Sequence, residues 1–375
     1  MNKSRKSRNS LTAYRRATLR LALSGGVGSC RFAQLTERFG PPTDALAGLI
    51  EMRRKDVRVA TEEDAEQALQ AADQAGARII LKGDQDYPKR LAEISRPPLL
   101  LHCIGDAAKL ENQMVAIVGA RNASLAARRF AEDLAHDLSE AGVGVVSGLA
   151  RGIDAAAHRG SLEGLPVGVV AGGIDVVYPR ENAELQAAIA ENGVLLAESP
   201  MGAKPTERHF PRRNRIVSGL AAAVVIVEAA ERSGSLITAR FALEEGRAVM
   251  AVPGFPTDPR SAGGNRLIRD GAVLIQCAED VLAGLTAETP KRQARQKAQP
   301  LPDITPEPPA PAPDVPAAEG DPVAIVRAAL AAAPVTVDEL GRECQLSASA
   351  VASALQELEL FGEIERLPGQ RVALR

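Results

Sequence analysis

The chain has 375 residues, and its 45 Lys and Arg against 47 Asp and Glu leave a net charge of -2. With 45% apolar and 25% charged residues it has the make-up of an ordinary folded protein, which excludes a chain disordered or membrane-embedded throughout. Its length requires two or three separate cores.

Four cysteines, Cys30, Cys103, Cys277 and Cys344, stand far apart with no CxxC or Cys/His cluster, so neither a metal site nor a disulfide framework is expected and a reducing compartment fits. Lys3, Arg5, Lys6 and Arg8 open the chain, and no apolar run long enough for a signal peptide or a membrane span follows them. A cytoplasmic location is expected.

Residues 1–75 lack strand-like runs and predict a small domain of short helices, of the SAM or helix-hairpin-helix kind, with "LSGGVGSCRFAQLTERFG" (23–40) its most distinctive part. A Gly-Val-Gly turn opening an amphipathic helix suits either a phosphate or an ordinary tight turn.

From Met114 to Gln276 the apolar runs "VAIVG", "VGVVSG", "VGVVAGG", "GVLLAES", "AAVVIVEA", "AVMAVPG" and "AVLI" alternate with helical patterns. Strands without polar alternation are buried on both faces, and intervening helices imply right-handed crossovers. The expected fold is therefore α/β, an extended Rossmann-like, doubly wound and mainly parallel sheet over 76–289. Ligands of such sheets gather at the carboxyl ends of the strands.

After the first of these strands come Gly119, Arg121 and Asn122, a turn that an anion or simple chain reversal would both explain. No GxGxxG follows the strand, which excludes the dinucleotide fingerprint. The second strand ends in Ser147 and Gly148 and leads to Asp154, expected as a helix cap, and His158; as an acid/base pair these two lack any converging nucleophile or metal set. Gly172 and Gly173 mark a further point of close approach.

Between 200 and 240 seven cations (Lys204, Arg208, Arg212, Arg213, Arg215, Arg232, Arg240) face three acids (Glu207, Glu228, Glu231), so the basic charge is local. "HFPRRNR" (209–215), including Asn214, is placed in the loop before strand "AAVVIVEA", entering a helix over 212–220. Phe210 beside Arg212 and Arg213 is the mixture single strands favour: a ring on which a base stacks and guanidiniums for its phosphates. In "SGSLITAR", Ser235 and Thr238 lie three apart at a helix start and read as a second phosphate cradle. With no Trp, three Tyr and seven Phe, phosphate contacts should dominate and binding should be salt-dependent.

Residues 290–320 hold nine prolines and read as an extended linker. Residues 321–375 predict three helices and a strand pair around "RLPGQR", a winged helix-turn-helix whose third helix carries Glu357 and Glu359 and no Lys or Arg. Protein docking or a purely structural role therefore ranks ahead of duplex reading for that helix.

The motifs "YPKRLAEISRPPLLLHCIGD", "VAIVGARNAS", "SGLARGIDAAAHRGSL", "GGIDVVYPRENAEL", "FPRRNRIVSGLAAAVVIVEAAERSGSLITARFALEEGRAVMAVPG" and "GGNRLIRDGAVLI", in this order, resemble those of the DNA-processing protein A (DprA/Smf) family over most of the chain. The resemblance implies a protein that binds single-stranded DNA, protects it and helps load the RecA recombinase during natural transformation; no catalytic residue, metal or cofactor is expected. It also implies a homodimer meeting near Ile268 and Leu274, although these residues equally complete a sheet core. The family's DNA-contacting arginine corresponds to Arg121 and its basic segment to Phe210–Arg215. Many members carry a lysine just before that segment; here Lys204 or Arg208 takes its place. The alternative is a Rossmann-like nucleotide-processing enzyme of the phosphoribohydrolase type, but "PGFPTD" at Pro253 lacks the glutamate of that loop.

Overall fold

The computed structural model describes residues 3–52, 57–286, 321–330, 334–367 and 371–374. Its first elements are α1 (Lys3–Leu23), α2 (Ser29–Phe39), α3 (Pro42–Glu51) and α4 (Glu62–Gln74), of which α1 exceeds the short helices expected. Pro42 sits in the first turn of α3, where a missing N–H leaves no bond unmade. Thr61 and Asp64 open α4 with reciprocal side-chain-to-backbone bonds that satisfy two otherwise orphaned donors. Leu21, Phe32, Leu35, Leu46 and Leu49 form the common core of this helical unit.

The central sheet comprises β1 (Arg78–Leu81), β2 (Leu100–Gly105), β3 (Met114–Val118), β4 (Gly144–Ser147), β5 (Pro166–Val170), β6 (Val194–Ala197), β7 (Ala223–Ile226), β8 (Ala248–Ala251) and β9 (Val273–Leu274), with α5 (Lys89–Ala92) between β1 and β2. Their order is β1-β2-β6-β5-β4-β3-β7-β8-β9. The seven apolar runs are β3 to β9, paired in parallel throughout. β1 and β2, which the apolar pattern did not mark as strands, extend the sheet antiparallel at one edge.

Alternation along the strands divides the core. Val115 and Ile117 point to the side covered by α6 (Leu125–Glu140), α7 (Ile153–Gly160) and α12 (Ala278–Thr286). Met114, Ala116 and Val118 point to the side of α9 (His209–Leu220), α10 (Ser235–Glu244) and α11 (Ala262–Arg269). Toward β1 and β2, α1, α4 and α8 (Ala183–Asn192) close the face away from α9 through Leu19, Ala65 and Ile189. Strands β3 to β6 step outward in one direction, α9 carries the chain back, and β7 to β9 step the other way. The winding reverses between β3 and β7, where sheets of this kind leave a crevice.

The C-terminal unit contains α13 (Pro322–Ala329), β10 (Val335–Thr336), α14 (Val337–Cys344), α15 (Ala348–Leu360), β11 (Ile364–Leu367) and β12 (Arg371–Leu374), its antiparallel strands ordered β10-β12-β11. The three helices and strand pair expected of a winged helix are present. The Pro-rich 290–320 linker lies outside the described residues. Among the described residues no helix is long and apolar enough to cross a membrane.

Candidate functional site

Parallel pairing puts the residues that follow β3, β4, β5, β6 and β7 along one rim of the sheet. The basic segment proves to be helical. α9 begins at His209, three residues before the expected helix, so Phe210, Arg212 and Arg213 lie in its first two turns and not in a loop. Pro211 falls in that first turn, where its missing N–H has no helical partner to lose.

Phe210 is the centre of a row built from three strand ends. The Arg121 guanidinium, from the turn after β3, lies over its ring at 4.9 Å from the centroid. Tyr178, from the loop after β5, packs beside the same ring, the centroids 5.9 Å apart and the rings tilted by 50°. Tyr178 is 40% exposed and was not among the expected site residues; one of only three tyrosines, at a strand's carboxyl end, it was recognisable in "GGIDVVYP".

The arginines of "PRRNR" part company. Arg212 keeps 63% of its side chain exposed, 3.8 Å from Glu198. Arg215 turns inward to Glu198 (2.5 Å) and to the Arg96 carbonyl (2.6 Å). Arg213 is buried, its Nη1 3.7 Å from Asp154 Oδ2. It lies directly on Gly148, where a Cβ would stand 1.0 Å from Nη1. Any side chain at 148 would evict the guanidinium.

Asp154 does not cap its own helix, which starts after Gly152 without a side-chain cap. Its carboxylate instead accepts the N–H groups of Gly148 (3.2 Å) and Ala150 (3.4 Å). Asn182 donates to the carbonyls of Leu149 (2.9 Å) and Ala150 (3.3 Å). These bonds hold Leu149 at φ +55°, a left-handed conformation costing a non-glycine residue of the order of 1–2 kcal/mol. Burial pushes the Asp154 carboxyl up and the Arg213 guanidinium down from their ordinary values, and each partly restores the other. His158 is fully buried, with no hydrogen-bond partner for either ring nitrogen among the described residues. Its pKa is lowered to about 3 by burial and by the Arg213 charge, so the ring is a neutral part of the framework and not half of an acid/base pair.

Several expected ligand groups are used internally. The Ser147 hydroxyl donates to the Ile117 carbonyl at 2.6 Å and is inaccessible. Gly119 admits Ile153, and Gly172 admits the Ala203 carbonyl, so these glycines allow protein elements, not a ligand, to come close. Ser235 and Thr238 are buried, Ser235 sharing a hydrogen bond with Ser233 (2.7 Å). Asn214 reaches the Gly234 carbonyl at 3.4 Å and ties α9 to the "SGSLITAR" turn. Arg121, Asn122, Lys204, Arg208 and Arg212 are exposed along the rim.

The crevice between β3 and β7 is filled by the protein itself. Glu228, buried after β7, accepts the Ser124 N–H (2.8 Å) and the Ser124 hydroxyl (3.1 Å) at the start of α6, with Arg260 4.0 Å away. Burial raises its carboxyl pKa while Ser124 and Arg260 pull it back. A carboxylate thus occupies the helix N-terminus where such folds receive phosphate. In the "PGFPTD" loop, Asn265 clamps Gly254 through both backbone groups (3.0 and 2.9 Å), and Asp258 pairs with Arg260 at 3.0 Å. Among the described residues no cluster of three His, Cys, Asp or Glu side chains is placed to hold a metal, and the four cysteines are free thiols.

Comparison with known proteins gives the same picture across the chain. A family profile described as DNA recombination-mediator protein A matches residues 78–286, a DprA winged helix domain matches 306–370, and a DprA-like N-terminal HHH domain matches 12–71. "DNA processing protein DprA" of Bacillus subtilis is 42% identical over 220 residues, 58% of this chain and 74% of that protein. "Protein Smf" of Escherichia coli is 36% identical over 312 residues, 81% of this chain and 79% of that protein. The X-ray structure of DNA processing protein A from Streptococcus pneumoniae aligns with a TM-score of 0.61 at 32% identity, over 72% of this chain and 97% of that one. A structure of the Helicobacter pylori protein, described by its unique single-stranded DNA binding mode, aligns with a TM-score of 0.52 at 29% identity, over 56% of this chain and 97% of that one.

Proposed function

The chain belongs to the DNA-processing protein A (DprA/Smf) family, and from that premise we propose that it is a non-enzymatic recombination mediator that binds single-stranded DNA, protects it and loads RecA onto it during natural transformation. The observation that carries the binding step is the row Arg121, Phe210, Tyr178 on the rim of the sheet. It offers a cation and two aromatic rings to a chain of phosphates and unpaired bases. Lys204, Arg208 and Arg212 add exposed charge on one flank, and no acid stands in the first turn of α9. The single-strand binding of the Helicobacter pylori relative supports the same assignment.

Protection follows from covering the strand's backbone, whereas RecA loading rests on family membership alone. The homodimer is assigned to the β9 edge, where Val273 and Leu274 are each 44% exposed beside the partly buried Ile268. Against a nucleotide-processing enzyme stands Glu228, whose carboxylate would meet any nucleotide phosphate at the start of α6. Against a duplex-reading winged helix stands α15, whose Glu357 and Glu359 belong to a helix with no basic residue.

The test is labelled-oligonucleotide binding across salt, single strand against duplex. Single strands are expected to bind more tightly, with log K falling by about 0.7 per log unit of salt for each phosphate contacted, and Arg121→Ala is expected to remove about one such contact. Absence of single-strand binding at low salt, or an Arg121→Ala chain with native affinity and slope, overturns the assignment.

A further inference from the structure

The winged-helix unit is docked on the sheet domain beside the Arg121 turn. Leu125, in the first turn of α6, is 6% exposed and packs into the winged-helix core with Leu340, Val351 and Leu355. Around it three arginines of the sheet domain hold the unit. Arg128 pairs with Glu343, Arg129 with Glu339 at 2.5 Å, and Arg260 donates to the carbonyls of Leu330 (2.6 Å) and Ala328 (3.2 Å). Residues 321–375 carry eight carboxylates against five arginines, so an acidic unit covers a basic surface.

That surface continues the rim. Arg128 lies four residues beyond Ser124, the cap of α6, which at the helical rise of 1.5 Å per residue is about 6 Å along the axis, and Arg121 stands three residues before that cap. A strand laid over Arg121 and the outer face of α6 would bring phosphates to the positions of the Glu339 and Glu343 carboxylates. Carboxylate and phosphodiester present the same charge and acceptor geometry to a guanidinium.

We propose that the winged-helix unit is a charged cover over a latent phosphate track: Glu339 and Glu343 occupy Arg129 and Arg128 until the phosphodiesters of a bound strand displace them, extending the backbone contacts begun at Arg121. The inference rests on the single-strand reading above. Glu339 also closes the capping box of α14 with Thr336, a role glutamine fills equally, so Glu339→Gln/Glu343→Gln keeps the helix while removing both charges.

The experiment compares the full native chain with the full Glu339→Gln/Glu343→Gln chain, using a labelled oligothymidylate across salt. The variant is expected to bind several-fold more tightly at low salt with the native slope, because both complexes hold the same two phosphates and only the native chain must first displace its carboxylates. Adding Arg128→Ala and Arg129→Ala to the variant abolishes the gain and makes the slope shallower by about 1.4, two single-strand contacts at about 0.7 each. A native chain that binds while the glutamine variant binds no more tightly, or a gain that survives loss of both arginines, overturns the cover alone. A native chain that fails to bind at all overturns the single-strand reading and the cover with it.

Discussion

Arg213 carries its charge inside the protein, 3.7 Å from Asp154 and pressed on Gly148, while Arg121 carries the same charge on the surface, over the face of Phe210. The two substitutions should therefore separate stability from binding. Arg213→Ala strands a buried carboxylate and is expected to cost about 3–5 kcal/mol in urea unfolding, whereas Arg121→Ala should stay within about 0.5 kcal/mol of native. An Arg213→Ala chain of native stability would refute the framework role. His158 adds a pH dependence of definite sign. With a folded pKa of about 3 against an ordinary 6.5, the unfolded chain binds the extra proton, so stability is complete above about pH 6.5 and declines as pH falls toward 3. The decline approaches about 1.4 kcal/mol per pH unit for this one group. His102, whose pKa burial also lowers, contributes in the same direction, so the measurement is the difference in unfolding between native and His158→Gln chains from pH 7.5 to 4.5. The fate of each arginine was not legible in "PRRNR". Composition gives the charge of such a run, but which guanidinium is buried depends on where α9 starts and on a glycine 65 residues earlier.

At the scale of elements, β3 to β9 were legible because strands buried on both faces must be apolar at every position. β1 and β2 were not, since "RIIL" is short and exposed at its first residue, and His102 interrupts β2. α9 was misjudged at its start because proline signals a break within a helix but is neutral in a first turn. At the strand-end turns Ser147 bonds the Ile117 carbonyl, Ser235 shares a hydrogen bond with Ser233, Thr238 is buried, and Gly119 and Gly172 admit Ile153 and the Ala203 carbonyl. Hydroxyls and glycines at a helix start look alike whether they serve a ligand or the fold. What the pattern missed was the ring from the β5 loop. Tyr178→Ala is expected to weaken single-strand binding by about 1–3 kcal/mol, the value of one stacked base, without altering the salt slope. Titration at two salt concentrations tests this, and a change in slope would instead make Tyr178 a phosphate contact.

At the scale of the whole molecule, two surfaces flank the rim. On one side the winged-helix unit lies over α6; at the far edge of the sheet β9 leaves its outer backbone and two apolar side chains uncovered. An uncovered edge strand next to α11 favours association of like with like. Leu274→Glu places a charge in that contact and is expected to convert a dimer to a monomer in sedimentation, leaving thermal unfolding at matched monomer concentration nearly unchanged. A native chain that sediments as a monomer at micromolar concentration would remove the edge from consideration.

The carboxylate of Glu228 at the start of α6 has a consequence for what the molecule is able to notice. A fold whose crevice stands open responds to every free nucleotide around it, because one phosphate is enough to fill the site. Here that seat is taken from within, and the exposed cations Arg121, Lys204, Arg208 and Arg212 are spread along a ledge. On the proposed single-strand reading, recognition would depend on many modest contacts made at once, and a polymer would be distinguished from its own monomers by length, before any base is read.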